Sequence, residues 1–201
     1  MVANKGDSMK DVFLFALRLD ASLTEMQGDI LCLAADSAKR ERYRTAAARQ
    51  AAQLSLTAQV LLRYAASRVM EIPMRQVRIT YTENGKPQLH DGWHCSVSHT
   101  GDLCICAVSR RQVGLDAERE RPFPEQVAEK YFSPEEKYFL RTAENKQRAF
   151  FEIWTKHESY VKLTGEGLRA IRRPIPPEIH THTFHLMEEY TVSVSLFTDL
   201  S

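Results

Sequence analysis

Across 201 residues, 27 Lys and Arg stand against 26 Asp and Glu, a net charge of +1. No global basic field therefore marks a nucleic-acid binder, and any anion site must be a local cluster. Hydrophobic residues make up 43% of the chain and charged residues 26%, the balance of a soluble globular protein with a sizeable core. No apolar run approaches the roughly 20 residues of a membrane span.

The opening segment, Met1 to Lys10, is polar and lacks the apolar stretch of a signal peptide. A reducing, cytoplasmic location is the expectation. Asp11 to Asp20 reads as a first strand. From about Asp36 to Met70 the chain is helix-rich, with Leu54, Ala58, Leu61, Ala65 and Val69 recurring at spacings of three and four. The alternation in Val77–Thr82 predicts a strand, and Glu83-Asn84-Gly85 supplies turn chemistry.

A second β region spans about Cys95 to Glu118, broken at Thr100-Gly101-Asp102 and at Arg110-Arg111. Cys104 and Cys106 lie two apart in an apolar run, so in a strand they share one face as small hydrophobes. Cys32 and Cys95 complete the cysteine set, and no CxxC pair occurs. After Pro122 and Pro124 a short helix is expected over Glu125–Phe132. Ser133, Pro134 and Glu136 form a capping-box start. The longest helix runs from about Lys146 to Leu163 and stops near Gly165 and Gly167, before the proline-rich loop Arg172–Pro177. Two final strands, about His182–Met187 and Tyr190–Phe197, read as a hairpin across Glu188-Glu189. The order of elements suggests an α+β protein of two similar halves meeting near Arg110, 1–109 and 110–201.

Asp116 and Glu118 are two apart at a strand end, so both carboxylates can face one hard cation. An isolated pair of this kind more often decorates a solvated edge. Trp154, Glu158 and Lys162 recur every four residues along one helical stripe. By spacing alone that stripe is an anchoring Trp beside an exposed ion pair. Ser96-Val97-Ser98-His99-Thr100-Gly101 offers hydroxyls, an imidazole and backbone amides to a phosphate, or simply a turn that bonds itself. Lys39, Arg40, Arg42 and Arg44 make a basic cluster, usually a solvated face but suited to a phosphate or an acidic partner.

Taken in order, Gly85-Lys86-Pro87, Ser96–Thr100, Gly114-Leu115-Asp116-Ala117-Glu118, then Trp154 through Glu158 to Lys162 and Gly165-Glu166-Gly167 resemble the 4′-phosphopantetheinyl transferase superfamily, nearest to its surfactin-synthetase-activating (Sfp) type. The resemblance covers about residues 39 to 168. It implies a pseudo-dimer of two α+β halves with coenzyme A between them. It further implies transfer of phosphopantetheine from coenzyme A to a serine of an apo acyl or peptidyl carrier protein, leaving adenosine 3′,5′-bisphosphate. The same resemblance makes Asp116, Glu118 and Glu158 the ligands of magnesium, with manganese as the other candidate. It places Lys39, Arg42, Lys86, Ser98, His99, His157 and Lys162 on coenzyme A, with Ser55 a further hydroxyl contact. Glu158 and Lys162 carry catalysis, with either Glu158 or a metal-held water as the base. A monomer is expected, because the cleft needs no second chain.

Two departures stand out. His157 replaces the family's usual lysine before the glutamate, so it is a phosphate contact, a packing residue or a mark of reduced activity; the last would make the chain a non-catalytic coenzyme A or carrier-binding homologue. Gln53 and Leu54 stand where His and Arg are common. Arg119, Arg121, Lys130, Tyr131 and Phe132 follow the metal motif as candidates for carrier contact, unless the two aromatics belong to the core.

Overall fold

The computed structural model describes residues 9, 11–20, 23–45, 49–167 and 170–198. Most of the polar opening segment and residues 46–48 of the alanine-rich stretch lie outside them. The chain is a mixture of helix and antiparallel sheet.

In the first part, β1 (Val12–Arg18) precedes three helices, α1 (Glu25–Ala34), α2 (Ser37–Thr45) and α3 (Arg49–Val69). A two-residue pair follows, β2 (Thr80–Tyr81) with β3 (Pro87–Gln88). Next come β4 (His94–Thr100) and β5 (Leu103–Ser109). In sheet order β1-β5-β4, the long strand β5 lies in the middle and is buried on both faces. Its Cys106 and Val108 pack with Leu62, Ala65 and Ala66 of α3, and Cys104 packs with Leu54 and Ala58. The expected role of Cys104 and Cys106 as same-face small hydrophobes is the observed one.

In the second part, β6 (Val113–Arg119) leads to α4 (Glu125–Tyr131), α5 (Pro134–Thr142) and α6 (Lys146–Thr164), then to the hairpin β7 (Ile179–Leu186) and β8 (Tyr190–Phe197). The sheet order is β6-β8-β7. The anticipated capping box at Ser133 is complete: its side chain accepts from the Glu136 amide, and the Glu136 carboxylate accepts from the Ser133 amide. Gly165 ends α6 at φ 76°, the left-handed conformation that only glycine adopts without strain.

Two expectations change. Helix α1 was not anticipated, and of Val77–Thr82 only Thr80–Tyr81 pair as a strand, opposite Gln88 and Pro87. One apolar cluster takes Leu103, Ile105 and Ala107 from β5, Val113, Leu115 and Ala117 from β6, and Tyr190, Val192, Val194 and Leu196 from β8. The two sheets therefore share a core.

Candidate functional site

The edge strand of the first sheet, β4, lies along the edge strand of the second, β6, and side chains join them. Ser96 Oγ accepts from the Leu115 amide at 2.9 Å, Ser98 Oγ from the Ala117 amide at 3.2 Å, and Thr100 Oγ1 from the Arg119 amide at 3.2 Å. Strand alternation puts these three hydroxyls on one side, where they satisfy edge amides that would otherwise be left open. The same ladder orients the carboxylates. Ser98 donates to Asp116 Oδ1 at 2.9 Å, and Thr100 donates to Glu118 Oε2 at 3.0 Å.

Helix α6 reaches this seam because Gly114 lets it. A Cβ at Gly114 would lie 1.9 Å from the Ser159 carbonyl oxygen and 2.5 Å from the Leu163 nitrogen. On its buried face, Thr155 and Ser159 pair at 2.8 Å with Ser193 and Ser195 of β8, which in turn meet Thr183 and Thr181 of β7. This fixes how far α6 slides along the sheet. Lys162 Nζ then stands 2.7 Å from Asp116 Oδ1 and 2.9 Å from Ser98 Oγ.

Glu158 faces the same carboxylates. Its burial, then the charge on Asp116, with a smaller push from Glu118, raise its carboxyl to about 7 against the pull of Lys162. Glu118 is likewise pushed up, first by burial and then by Asp116, against Thr100, Arg121 and Lys162. Three carboxylates crowding one another in this way call for a cation. Asp116 Oδ2 is buried with no hydrogen-bond partner. An all-oxygen donor set suits magnesium or manganese, and the orphaned oxygen gives such an ion a place to bind. Among the described residues, no three His, Cys, Asp or Glu side chains are already drawn around one point.

A basic group lies beside them. Although His99 reaches solvent, the protein packed around it lowers its proton affinity, and Lys162, Lys39 and Arg42 lower it further. Those four side chains thus share one electrostatic neighbourhood. Burial, then Arg42, also lowers Lys39, whose Nζ donates to Ser55 Oγ at 2.6 Å. On the far side, Lys86 Nζ donates to the Leu163 carbonyl at 2.8 Å, and burial lowers its proton affinity too. A cleft of about 220 Å³ runs between Asn84–Pro87, Ser96, Val97, Lys162, Gly165 and Gly167.

Three expected residues sit elsewhere or are already engaged. His157 does not face the cleft. It is buried, its Nε2 lies 2.7 Å from Glu136 Oε1 of α5, and its ring stacks on Phe132. One residue rotates a side chain about 100° around a helix, so the neighbour of Glu158 turns into the α5 packing. The expectation of a coenzyme A contact there is corrected to a packing role. Ser98 is buried, its single donor committed to Asp116 while its oxygen accepts from Lys162 and the Ala117 amide. Phe132 belongs to the core with Phe150. Of the other surface candidates, Arg119 is bound to Glu189 at 2.7 Å, and Arg121 lies 3.6 Å from Glu118. Lys130 lies 5.0 Å from the Tyr131 ring, which packs on Trp154. Gln53 donates to the Leu23 carbonyl, and Leu54 is core.

The sequence reading names Ser96 and Thr100 only as possible phosphate contacts and Gly114 only as part of a motif; that they join the strand edges and admit α6 is seen in the structure alone. The alternating hydroxyls at 96, 98 and 100 carried the signal, since residues two apart in a strand share a face.

Two family models match the chain. One, described as 4′-phosphopantetheinyl transferase superfamily, covers residues 112–196; the other, described as 4′-phosphopantetheinyl transferase, N-terminal, covers residues 22–111. The 4′-phosphopantetheinyl transferase psf-1 of Bacillus pumilus is 34% identical over 121 residues, which is 58% of this chain and 52% of that protein. The 4′-phosphopantetheinyl transferase Sfp of Bacillus subtilis is 27% identical over 159 residues, 77% of this chain and 71% of the relative. HetI of a Nostoc species, also a 4′-phosphopantetheinyl transferase, is 40% identical over 106 residues, 48% and 45% of the two chains. The chain thus spans about half the length of psf-1 and of HetI.

Proposed function

Because this chain belongs to the 4′-phosphopantetheinyl transferase superfamily, Sfp type, we propose that it transfers phosphopantetheine from coenzyme A to a serine of an apo acyl or peptidyl carrier protein. The carrier serine oxygen bonds to the β-phosphorus, the bond from that phosphorus to the bridging oxygen breaks, and adenosine 3′,5′-bisphosphate leaves. The serine proton passes to Glu158 or to a water beside it. Asp116, Glu118 and Glu158 would hold magnesium or manganese, which when bound supplies positive charge to the pyrophosphate. Lys162 stabilises the charge developing on the leaving oxygen. Lys39, Arg42 and His99 receive the 3′-phosphate, and Lys86 closes the other wall of the cleft. Ser98 and Thr100 orient the carboxylates.

The observation that carries this reading is the meeting of Asp116, Glu118 and Glu158 with Lys162 and a separate basic group at one seam. Phosphoryl chemistry asks a protein for this arrangement, positioning and charge rather than covalent help. The non-catalytic alternative rested on His157, whose ring packs against α5; the relatives named above are all described as transferases, which favours the catalytic reading.

The chain divides into halves 1–109 and 110–201 that form a pseudo-dimer. Support comes from the strand order, since in each sheet the first strand pairs with the last, and the last with the strand before it. The boundary between the two family matches falls at 111 and 112. The protein works as a cytoplasmic monomer, with Arg121, Lys130 and Tyr131 toward an acidic carrier. Among the described residues no helix is long and apolar enough to cross a membrane. The test is intact mass of apo carriers incubated with the protein, coenzyme A and magnesium. A gain of one phosphopantetheine, abolished in Asp116→Ala and by chelation, is expected; coenzyme A binding without any carrier gain would refute transfer.

A further inference from the structure

Helix α2 carries Lys39 and Arg42, yet none of its residues is buried. Its half-buried Tyr43 packs against Cys32, Ala35 and Leu56 toward its C-terminal end, so the placement of its first turn depends on what grips its start. Its start is gripped by Asp36. The Asp36 Oδ1 accepts from the Lys39 amide at 2.8 Å, and the Asp36 carbonyl accepts from the Arg40 amide at 3.1 Å. Asp36 in turn is held by Gln59 of α3. The Asp36 amide donates to Gln59 Oε1 at 3.1 Å, and Gln59 Nε2 donates to Asp36 Oδ2.

The same Gln59 Nε2 also donates to the Tyr81 hydroxyl. Tyr81 lies in the β2–β3 pair, and beside it Thr82 holds the lysine turn: its amide donates to the Lys86 carbonyl at 2.9 Å and its hydroxyl accepts from the Lys86 amide at 3.1 Å. Gln59 is itself 4% exposed, so its amide has no water to fall back on and its loss leaves buried polar groups without partners. One amide therefore ties two separate segments, the basic helix and the lysine turn, to the rigid helix α3.

We propose that Gln59, with Asp36 and Tyr81, is a positioning clamp that sets the protein's preference for a donor bearing a 3′-phosphate. This rests on the reading that Lys39 and Arg42 meet that phosphate. The clamp touches no reacting atom. It holds α2 at a fixed distance from the pyrophosphate cleft, so that Lys39 and Arg42 meet the 3′-phosphate while Lys162 and Lys86 are engaged. Loosening it weakens the donor that carries the 3′-phosphate and leaves one without it unchanged.

Binding of coenzyme A and of 3′-dephospho-coenzyme A is measured by calorimetry on the full chain, with KM and kcat for transfer measured beside it. The wild-type protein prefers coenzyme A. In Gln59→Leu that preference falls about tenfold, the loss of roughly one charge-assisted contact, through KM with kcat held. Tyr81→Phe gives a smaller fall and covers the case in which Gln59→Leu fails to fold. Combining Asp36→Asn with Gln59→Glu reverses the polarity of the pair and restores the preference, which a merely destabilising change would not. A wild-type preference that survives intact in folded Gln59→Leu, or in Tyr81→Phe together with a failed rescue, overturns the clamp and leaves the phosphate reading standing. Equal wild-type affinity for the two donors overturns both.

Discussion

Replacing Gly114 with alanine tests whether α6 must touch β6 for the site to exist. The new Cβ would sit 1.9 Å from the Ser159 carbonyl oxygen, 2.5 Å from the Leu163 nitrogen and 2.8 Å from the Leu163 Cβ. Two of those three atoms are backbone, so no side-chain rotation relieves the clash. Helix and strand must part by about 1 Å or more, and a displacement of that size can cost about a hundredfold in rate. Glu158 and Lys162 bracket Ser159 on the displaced helix, whereas Asp116 stays on the strand, so the 2.7 Å Lys162–Asp116 contact opens. Overpacking of this kind costs about 1–3 kcal/mol, which lowers Tm by about 3–10 °C in a chain of this size. Carrier modification followed by mass, with a thermal melt alongside, is the assay. The loss of rate should exceed what the unfolded fraction explains at 20 °C below Tm. Wild-type activity and an unchanged melt in Gly114→Ala would refute the argument that close approach positions the carboxylate–lysine set.

Two further outcomes follow from the same geometry. Lys162→Ala should lower kcat about 10²–10³-fold, the loss typical of one electrostatic donor at the reacting centre, and Lys162→Arg should recover only part of it because a planar fork does not replace a point charge; retention of wild-type kcat in Lys162→Ala would exclude its role. Glu136 offers a pH test of the α5–α6 contact. Burial raises its proton affinity, but hydrogen bonds from His157 and the Ser133 amide outweigh that and hold the carboxyl below its ordinary 4.5. A depressed folded-state value means stability that is present above 4.5 and lost as pH falls below it. Glu136→Gln, which keeps the capping box, should therefore be less stable than wild type at pH 7, with the gap closing below pH 4.5. Melts run from pH 3 to 7 check this, and a gap independent of pH would reject it.

Local chemistry made much of the fold legible. The capping box at Ser133, the glycine stop of α6 and the hairpin after Pro177 all follow from residues within a few positions of one another. Helix α1 did not, because its apolar residues run together from Ile30 to Ala34, and periodicity does not tell such a run in a helix from one in a strand. Its capping box, Thr24 with Gln27, was the available signal. Asp116, Glu118, Glu158 and Lys162 were legible as a family pattern, whereas their supports were not. Nothing near Ser98 in sequence says that its hydroxyl meets an amide 19 residues away, and nothing near His157 says that α5 will cover it. Such contacts depend on how elements stack, which short-range spacing does not encode.

The hydroxyls of β4 have a consequence for alignment. Each sheet keeps its own main-chain ladder, and Ser96, Ser98 and Thr100 step along Leu115, Ala117 and Arg119 in the same direction. Two strands that never exchange a main-chain hydrogen bond are thus indexed like a vernier, with one notch every second residue. A slip of one position would present Val97 to an amide that needs an oxygen. A slip of two would carry Asp116 past Ser98 and out of reach of Lys162. The notches that keep the two edges in register are the same ones that bring the carboxylates to their working positions, so a misaligned join and an inactive site would be a single event.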